Sequence, residues 1–257
     1  MSADPAARPD PAPAGRFRRL VDRIGRVIGP ALIDRIDRDH RQTARAFLRR
    51  RLVAGATLVV GAVLLGVSLN VPPDAPAFYP LTIALALTWA VGGILSGPLH
   101  LGWTTDRSGE RRRPVVPPIL LGLGIGLVFV AGALVVREVE PLRAATEGIL
   151  EQARERPLAA VAVVTAVNGI AEEMFFRGAL YAAVGVRHAV LVSTVIYTLT
   201  TVATGNFMLV FAAAVLGLVV GLQRRASGGI LGPILTHVTW SMTMLFVLPP
   251  LFSAAGG

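Results

Sequence analysis

The sequence predicts an all-α, polytopic membrane protein, a bundle of about seven spanning helices preceded by a basic amphipathic N-terminal arm. Three observations predict it. Of 257 residues, 53% are hydrophobic and only 16% charged, a balance that belongs to multispanning membrane chains rather than soluble ones. The apolar residues fall in long runs separated by polar, Gly or Pro punctuation. Arginine supplies all of the basic charge, since lysine is absent, and about half of the arginines precede the first apolar run. A basic arm beside a hydrophobic segment points to the cytoplasmic leaflet and its lipids, not to nucleic acid. With no cysteine, disulfides, thiolate metal sites and thiol proteases are excluded.

Met1 to Gly15 are rich in Pro, Ala and Asp and are expected to be disordered. From Phe17 a helical period appears: Phe17, Leu20, Val21, Ile24, Val27 and Ile28 alternate with Arg18, Arg19, Arg23 and Arg26, the pattern of a helix lying on a membrane surface. Pro30 interrupts it. A second polar helix around Asp34 to Asp39 leads to Arg49, Arg50 and Arg51, which anchor the first span. The first apolar run is too long and starts too late for a cleavable signal.

Apolar segments follow at Leu52–Val71, Phe78–Leu95, Val115–Val136, Leu158–Val186, Ala189–Ala203, Phe207–Leu222 and Ile230–Phe252. Ala189–Ala203 is short for a hydrocarbon core of about 30 Å, so it is expected to be tilted, sheltered, or one limb of a re-entrant hairpin with the segment after it. Placing the amino terminus in the cytoplasm puts Arg107, Arg111–Arg113, Arg187, Arg224 and Arg225 on cytoplasmic connections. The stretch from Arg137 to Arg156 mixes arginines with glutamates and reads as an amphipathic helix at the external interface.

Inside the fourth segment stands Asn168-Gly-Ile-Ala-Glu-Glu-Met-Phe-Phe-Arg-Gly178. Each charge at the centre of a span costs roughly 2.5–3.5 kcal/mol on insertion scales, so such a group reads as a functional site with partnered members. Glu173 and Arg177, four apart, share a helix face and can pair, whereas Glu172 points about 100° away, toward the face of Asn168. Counting 1.5 Å per residue puts Glu172 and Thr201 each about 18 Å, and His237 about 10 Å, from the cytoplasmic ends of their helices. All three are expected in one cavity opening to the cytoplasm. A glutamate there is a candidate general base toward water, and a histidine a candidate oxyanion donor or metal ligand.

Glu172-Glu173-x-x-x-Arg177-Gly178 resembles the first motif of the CPBP intramembrane proteases, the group that contains the type II CAAX prenyl endopeptidases and bacteriocin-processing enzymes. His237-Val-Thr-Trp-Ser241 resembles the third motif, with Ser241 where Asn or Asp is usual. The second motif, Phe-x-x-x-His, maps onto Tyr197 and Thr201, so Thr201 stands at the histidine position. The resemblance covers Leu158 to about Phe252 and leaves the amino-terminal part unassigned; with the composition it divides the chain into residues 1–51 (tail and arm), 52–157 (N-terminal spans and interfacial helix) and 158–257 (catalytic helix core).

It implies an endopeptidase acting near or inside the cytoplasmic half of the membrane, with Glu172, Glu173, Arg177, His237 and Thr201 as its site. Glu172, Glu173 and His237 give zinc at best three unlike ligands, and no His-Glu-x-x-His helix occurs, so a glutamate-dependent mechanism without an obligatory metal is favoured and zinc is kept as an alternative. Prenylated CAAX tails or leader and membrane peptides are the implied substrates. The Arg, Ala and Gly bias resembles a GC-rich bacterial genome, which favours an unmodified peptide or small membrane protein and a bacterial plasma membrane. Loss of the second-motif histidine motivates the alternative of a catalytically impaired scaffold or bacteriocin-immunity protein. A proton-coupled transporter is the third reading, and no inverted repeat supports it.

Overall fold

The computed structural model describes residue 25 and residues 29–33, 35, 42–72, 75–105, 108–185 and 187–253. All but one residue of the surface helix expected from Phe17 to Ile28, most of the polar helix after it, and Arg107 lie outside the described residues. The rest is a helical bundle with a single two-residue ribbon.

α1 (Ala44–Leu69) is capped by Thr43, whose side chain accepts from the Ala46 amide at 3.2 Å. It packs against α2 (Phe78–Ser96), and Gly61 is what lets it approach. A Cβ at Gly61 would sit 2.0 Å from the Trp89 ring, so only glycine leaves room for that fully buried indole. The ribbon pairs β1 (Thr104–Thr105) with β2 (Arg111–Arg112) in antiparallel register. α3 (Val116–Val136) carries Pro117 and Pro118 in its first turn, where a missing N–H costs nothing. It runs along α8 (Leu231–Ser253), tied by the Thr236 hydroxyl donating to the Pro118 carbonyl at 2.8 Å.

α4 (Glu140–Arg154) is amphipathic and lies across one end of the bundle. Asn206 donates to its Ala145 carbonyl at 2.7 Å and Arg154 donates to the Pro249 carbonyl at 3.1 Å, so both flanks are pinned. α5 (Leu158–Val184) is α-helical to Glu173, widens to a π-helix over Met174–Leu180 and closes with one α turn. Wide turns of this kind are uncommon and concentrate at functional sites. α6 (Ala189–Thr201) ends in a 3₁₀ turn, Val202–Thr204, and α7 (Phe207–Ser227) returns beside it, capped by Asn206.

Six helices are long and apolar enough to span a bilayer, and Ala189–Thr204 is a shorter apolar one. At 16 residues it reaches about 24 Å. One of its faces, with Leu191, Leu199 and Val202, is exposed, while Ser193, Thr194, Tyr197 and Thr201 are buried against the bundle. The exposed surface elsewhere is likewise apolar, including Val59, Val63, Leu127, Val128 and Val163, and the interior is rich in Gly, Ala, Ser and Thr. That inversion is what a lipid solvent selects: apolar side chains gain nothing by leaving it, so close packing of small residues and buried hydrogen bonds hold the helices together.

The alternating chain direction sorts the connections onto two ends. Arg49–Arg51, Arg111–Arg113, Arg187, Arg224 and Arg225 share one end. The turns at 70–77 and 204–206, together with α4, form the other.

Candidate active site

The two adjacent carboxylates of α5 are treated differently by the bundle. Glu173 is wholly buried, and its Oε1 accepts from Arg177 Nη1 at 3.0 Å and lies 2.8 Å from His237 Nδ1. Arg177, also wholly buried, donates from Nη2 to the Gly217 carbonyl at 3.2 Å and stacks over the Tyr197 ring at 4.6 Å. The Arg177 carbonyl in turn accepts from Arg224 Nε at 2.7 Å. One ion pair thus links α5 to α7 and α8, with its charges balanced and both terminal guanidinium nitrogens on acceptors, while Arg177 Nε and Glu173 Oε2 are buried without a hydrogen-bond partner.

Glu172 faces the other way, as the helical period demands. Its partner is a neutral hydroxyl: Tyr197 donates to Glu172 Oε2 at 2.7 Å. Around that pair lies a cavity of about 340 Å³ whose walls include Glu172, His237, Tyr197, Thr201, Asn168 and Ser241, with Trp89, Phe176, Leu216 and Met244 among the apolar remainder. The volume is near the lower bound of small-ligand sites, and a few convergent polar groups in an apolar wall are their usual make-up. An ionised carboxylate only accepts, so the tautomer that pairs with Glu173 carries its proton on His237 Nδ1 and leaves Nε2, near Gly169, unprotonated.

The five residues singled out from sequence fall in one neighbourhood with three different placements. Glu172 and His237 line the cavity and Glu173 with Arg177 stand behind them. Thr201 is on the wall, but its hydroxyl donates to the Tyr197 carbonyl at 3.0 Å within its own helix and makes no bond to Glu172 or His237. The residue that reading for histidine overlooked is Tyr197. Its signal was present, a hydroxyl on the ring at the Phe position of the second motif. Asn168 was expected on the face of Glu172 and is there, with Nδ2 donating to the Val164 carbonyl at 3.0 Å and Oδ1 buried without a partner.

One expectation is corrected. The cavity does not run toward the arginine-bearing end. From Glu172 and His237 its walls continue through Val161, Ser68, Thr204 and Leu248 to Ile149, Leu150 and Ala153 of α4, at the opposite end. Toward the arginine end the way is filled by Phe175, Arg177, Gly178 and Ala179, all buried. Counting residues along a helix gives depth, but which end is plugged depends on side-chain volume in the π segment, and that cannot be counted. Among the described residues no group of three or more His, Asp or Glu is placed to hold a metal.

These features define an integral membrane bundle with a carboxylate–imidazole site set within its spans. Residues 154–243, from the end of α4 into α8, match the family model described as Type II CAAX prenyl endopeptidase Rce1-like. It includes Glu172, Glu173, Arg177, Tyr197, Thr201 and His237. No curated protein and no solved structure matches the chain.

Proposed function

We propose that the protein is an intramembrane endopeptidase in which Glu172 activates a water molecule to hydrolyse a peptide bond of a membrane-associated protein or peptide. The observation that carries this reading is that Glu172 and His237 face one cavity, each held from behind by a different partner, Tyr197 and Glu173. The Tyr197 hydroxyl occupies Oε2 and orients the carboxylate, leaving Oε1 for water. Oε1 takes a proton, the hydroxide oxygen attacks the carbonyl carbon, and the same proton passes to the leaving nitrogen as the C–N bond breaks. His237, in the imidazolium form that has taken a further proton from solvent onto Nε2 before the attack, donates to the oxyanion and keeps that proton through the cycle, and Glu173 against Nδ1 stabilises the imidazolium as a buried acid does in a catalytic triad. Arg177 balances Glu173 and fixes the geometry.

The arginine end faces the cytoplasm by the positive-inside tendency. The peptide then reaches Glu172 from the α4 end or laterally through the bilayer, in the half of the membrane away from the cytoplasm. The apolar wall suits an unmodified membrane peptide as well as a prenylated tail. An impaired scaffold or immunity protein is the second reading, favoured by a Thr201 hydroxyl bonded inward to its own helix. The deciding experiment incubates purified wild type and Glu172→Gln with a membrane-peptide library in liposomes and follows new termini by mass spectrometry. Cleavage by wild type alone supports the protease; equal cleavage, or none by either, supports the scaffold.

A further inference from the structure

The arginine end holds a second and larger cavity, about 1360 Å³, separated from the Glu172 cavity by the buried π segment of α5. The start of α1, the end of α2, the α5–α6 turn and the end of α7 enclose it. Its walls carry Arg49, Arg50, Arg187 and Arg225 together with His188, and among the described residues that line it there is no Asp or Glu. Neighbouring cations are already engaged. Arg51 donates to the Ala183 carbonyl at 3.1 Å, and Arg224 donates to the Arg177 carbonyl.

Arg50 is different. It is 6% exposed, and its Nε and Nη1 are buried with no hydrogen-bond partner. Its Nη2 is seated against Gly97, where φ is +145° and a Cβ would come within 2.4 Å of that nitrogen. A guanidinium enclosed in this way, with donors unmet and a cradle only glycine allows, is costly unless an anion completes it. Its planar fork matches the oxygens of a phosphate, and basic pockets between spanning helices at this depth are lipid headgroup sites. The membrane edge is beside it, since Leu191 lines the cavity and is exposed to lipid.

We infer that this cleft binds the headgroup phosphate of an anionic phospholipid, with Arg50 as its buried anchor and Arg49, Arg187 and Arg225 as the surrounding field. The volume accommodates a glycerophosphate headgroup, and a wall without Asp or Glu among its described residues disfavours the choline of a zwitterionic lipid.

The test uses full-length protein purified in a zwitterionic detergent and titrated with phosphatidylglycerol, phosphatidylcholine or inorganic phosphate, read by native mass spectrometry and thermal unfolding. Phosphatidylglycerol should be retained and raise Tm. Arg50→Gln should weaken retention about tenfold, the loss expected for one charge-assisted contact. Arg187→Gln, on an exposed turn, should weaken retention less while leaving the fold intact, which keeps the idea testable if Arg50→Gln does not fold. Equal retention of phosphatidylcholine, unchanged retention in both variants, or stabilisation by inorganic phosphate equal to that by the lipid would each overturn the assignment.

Discussion

Replacing Tyr197 by Phe removes one oxygen and nothing else from the site. The ring remains to stack under Arg177 at 4.6 Å and against Phe176 at 4.7 Å, so the ion pair behind the cavity keeps its packing. What is lost is the 2.7 Å bond to Glu172 Oε2. Hydrogen bonds to charged groups are worth about 1.5–3 kcal/mol, which as lost transition-state stabilisation is roughly 10- to 150-fold in rate. Since the bond orients the base rather than the substrate, kcat should fall and KM should hold. The assay is cleavage of whichever peptide the library yields, with wild type, Tyr197→Phe and Thr201→Val compared at matched folding. Thr201→Val deletes a hydroxyl already bonded to its own helix and should leave kcat close to wild type. A Tyr197→Phe enzyme with unaltered kcat would refute the claim that this hydroxyl positions the base. A Thr201→Val loss as large as that of Tyr197→Phe would show that the two threonyl and tyrosyl oxygens have been assigned the wrong way round.

Other outcomes follow from the same geometry. Arg177→Met strands the Glu173 charge inside the bundle and should cost about 3–5 kcal/mol, measured as a fall in Tm or detergent half-life, and Glu173→Gln in the same chain should recover part of it. Thr201→His places an imidazole on the cavity wall and should raise cleavage above wild type; no rise would count against a second-motif role for that wall. Because the chain has no cysteine, single cysteines report orientation cleanly. With the arginine end in the cytoplasm, Ala144→Cys on α4 should react with an impermeant maleimide from outside intact cells and Ser108→Cys on the ribbon turn only after lysis. The reverse pattern would invert the proposed topology.

The helices were legible because lipid imposes one rule on sequence: a run of apolar residues long enough to cross, then punctuation. The Glu173–Arg177 pair was legible for a similar reason, since four-residue spacing on a helix leaves little choice of geometry. Three things were not. The π widening after Glu173 adds a residue to the turn with no compositional mark. The short helix Ala189–Thr204 could be tilted, sheltered or re-entrant from its length alone, and only its packing against α7 shows that it runs as an antiparallel partner with one face exposed. The direction of the cavity is set by where bulky side chains such as Phe175 and Arg177 accumulate between helices distant in sequence, so periodicity within any one helix is silent about it. Tyr197 lay between these cases: its position was visible, but whether a buried phenol bonds a carboxylate or a backbone carbonyl is decided by a helix twenty-five residues away.

The strongest objection to a catalytic reading is that buried charges also serve as glue, and here the two carboxylates separate the possibilities. Glu173 has what a structural charge needs: full burial, a guanidinium at 3.0 Å and an imidazole at 2.8 Å on one oxygen. Glu172 has neither cation as a hydrogen-bond partner. Among the described residues it is bonded by a neutral hydroxyl, it lines a cavity large enough for several waters, and no arginine bonds to it. A carboxylate kept only for adhesion would be expected to face a cation, because an unpaired one costs stability with no return in packing. Replacing Glu172 by Gln should therefore leave Tm near wild type, whereas Glu173→Gln should lower it. If the two substitutions destabilise the bundle equally, Glu172 is glue as well, and the base proposed for the reaction disappears.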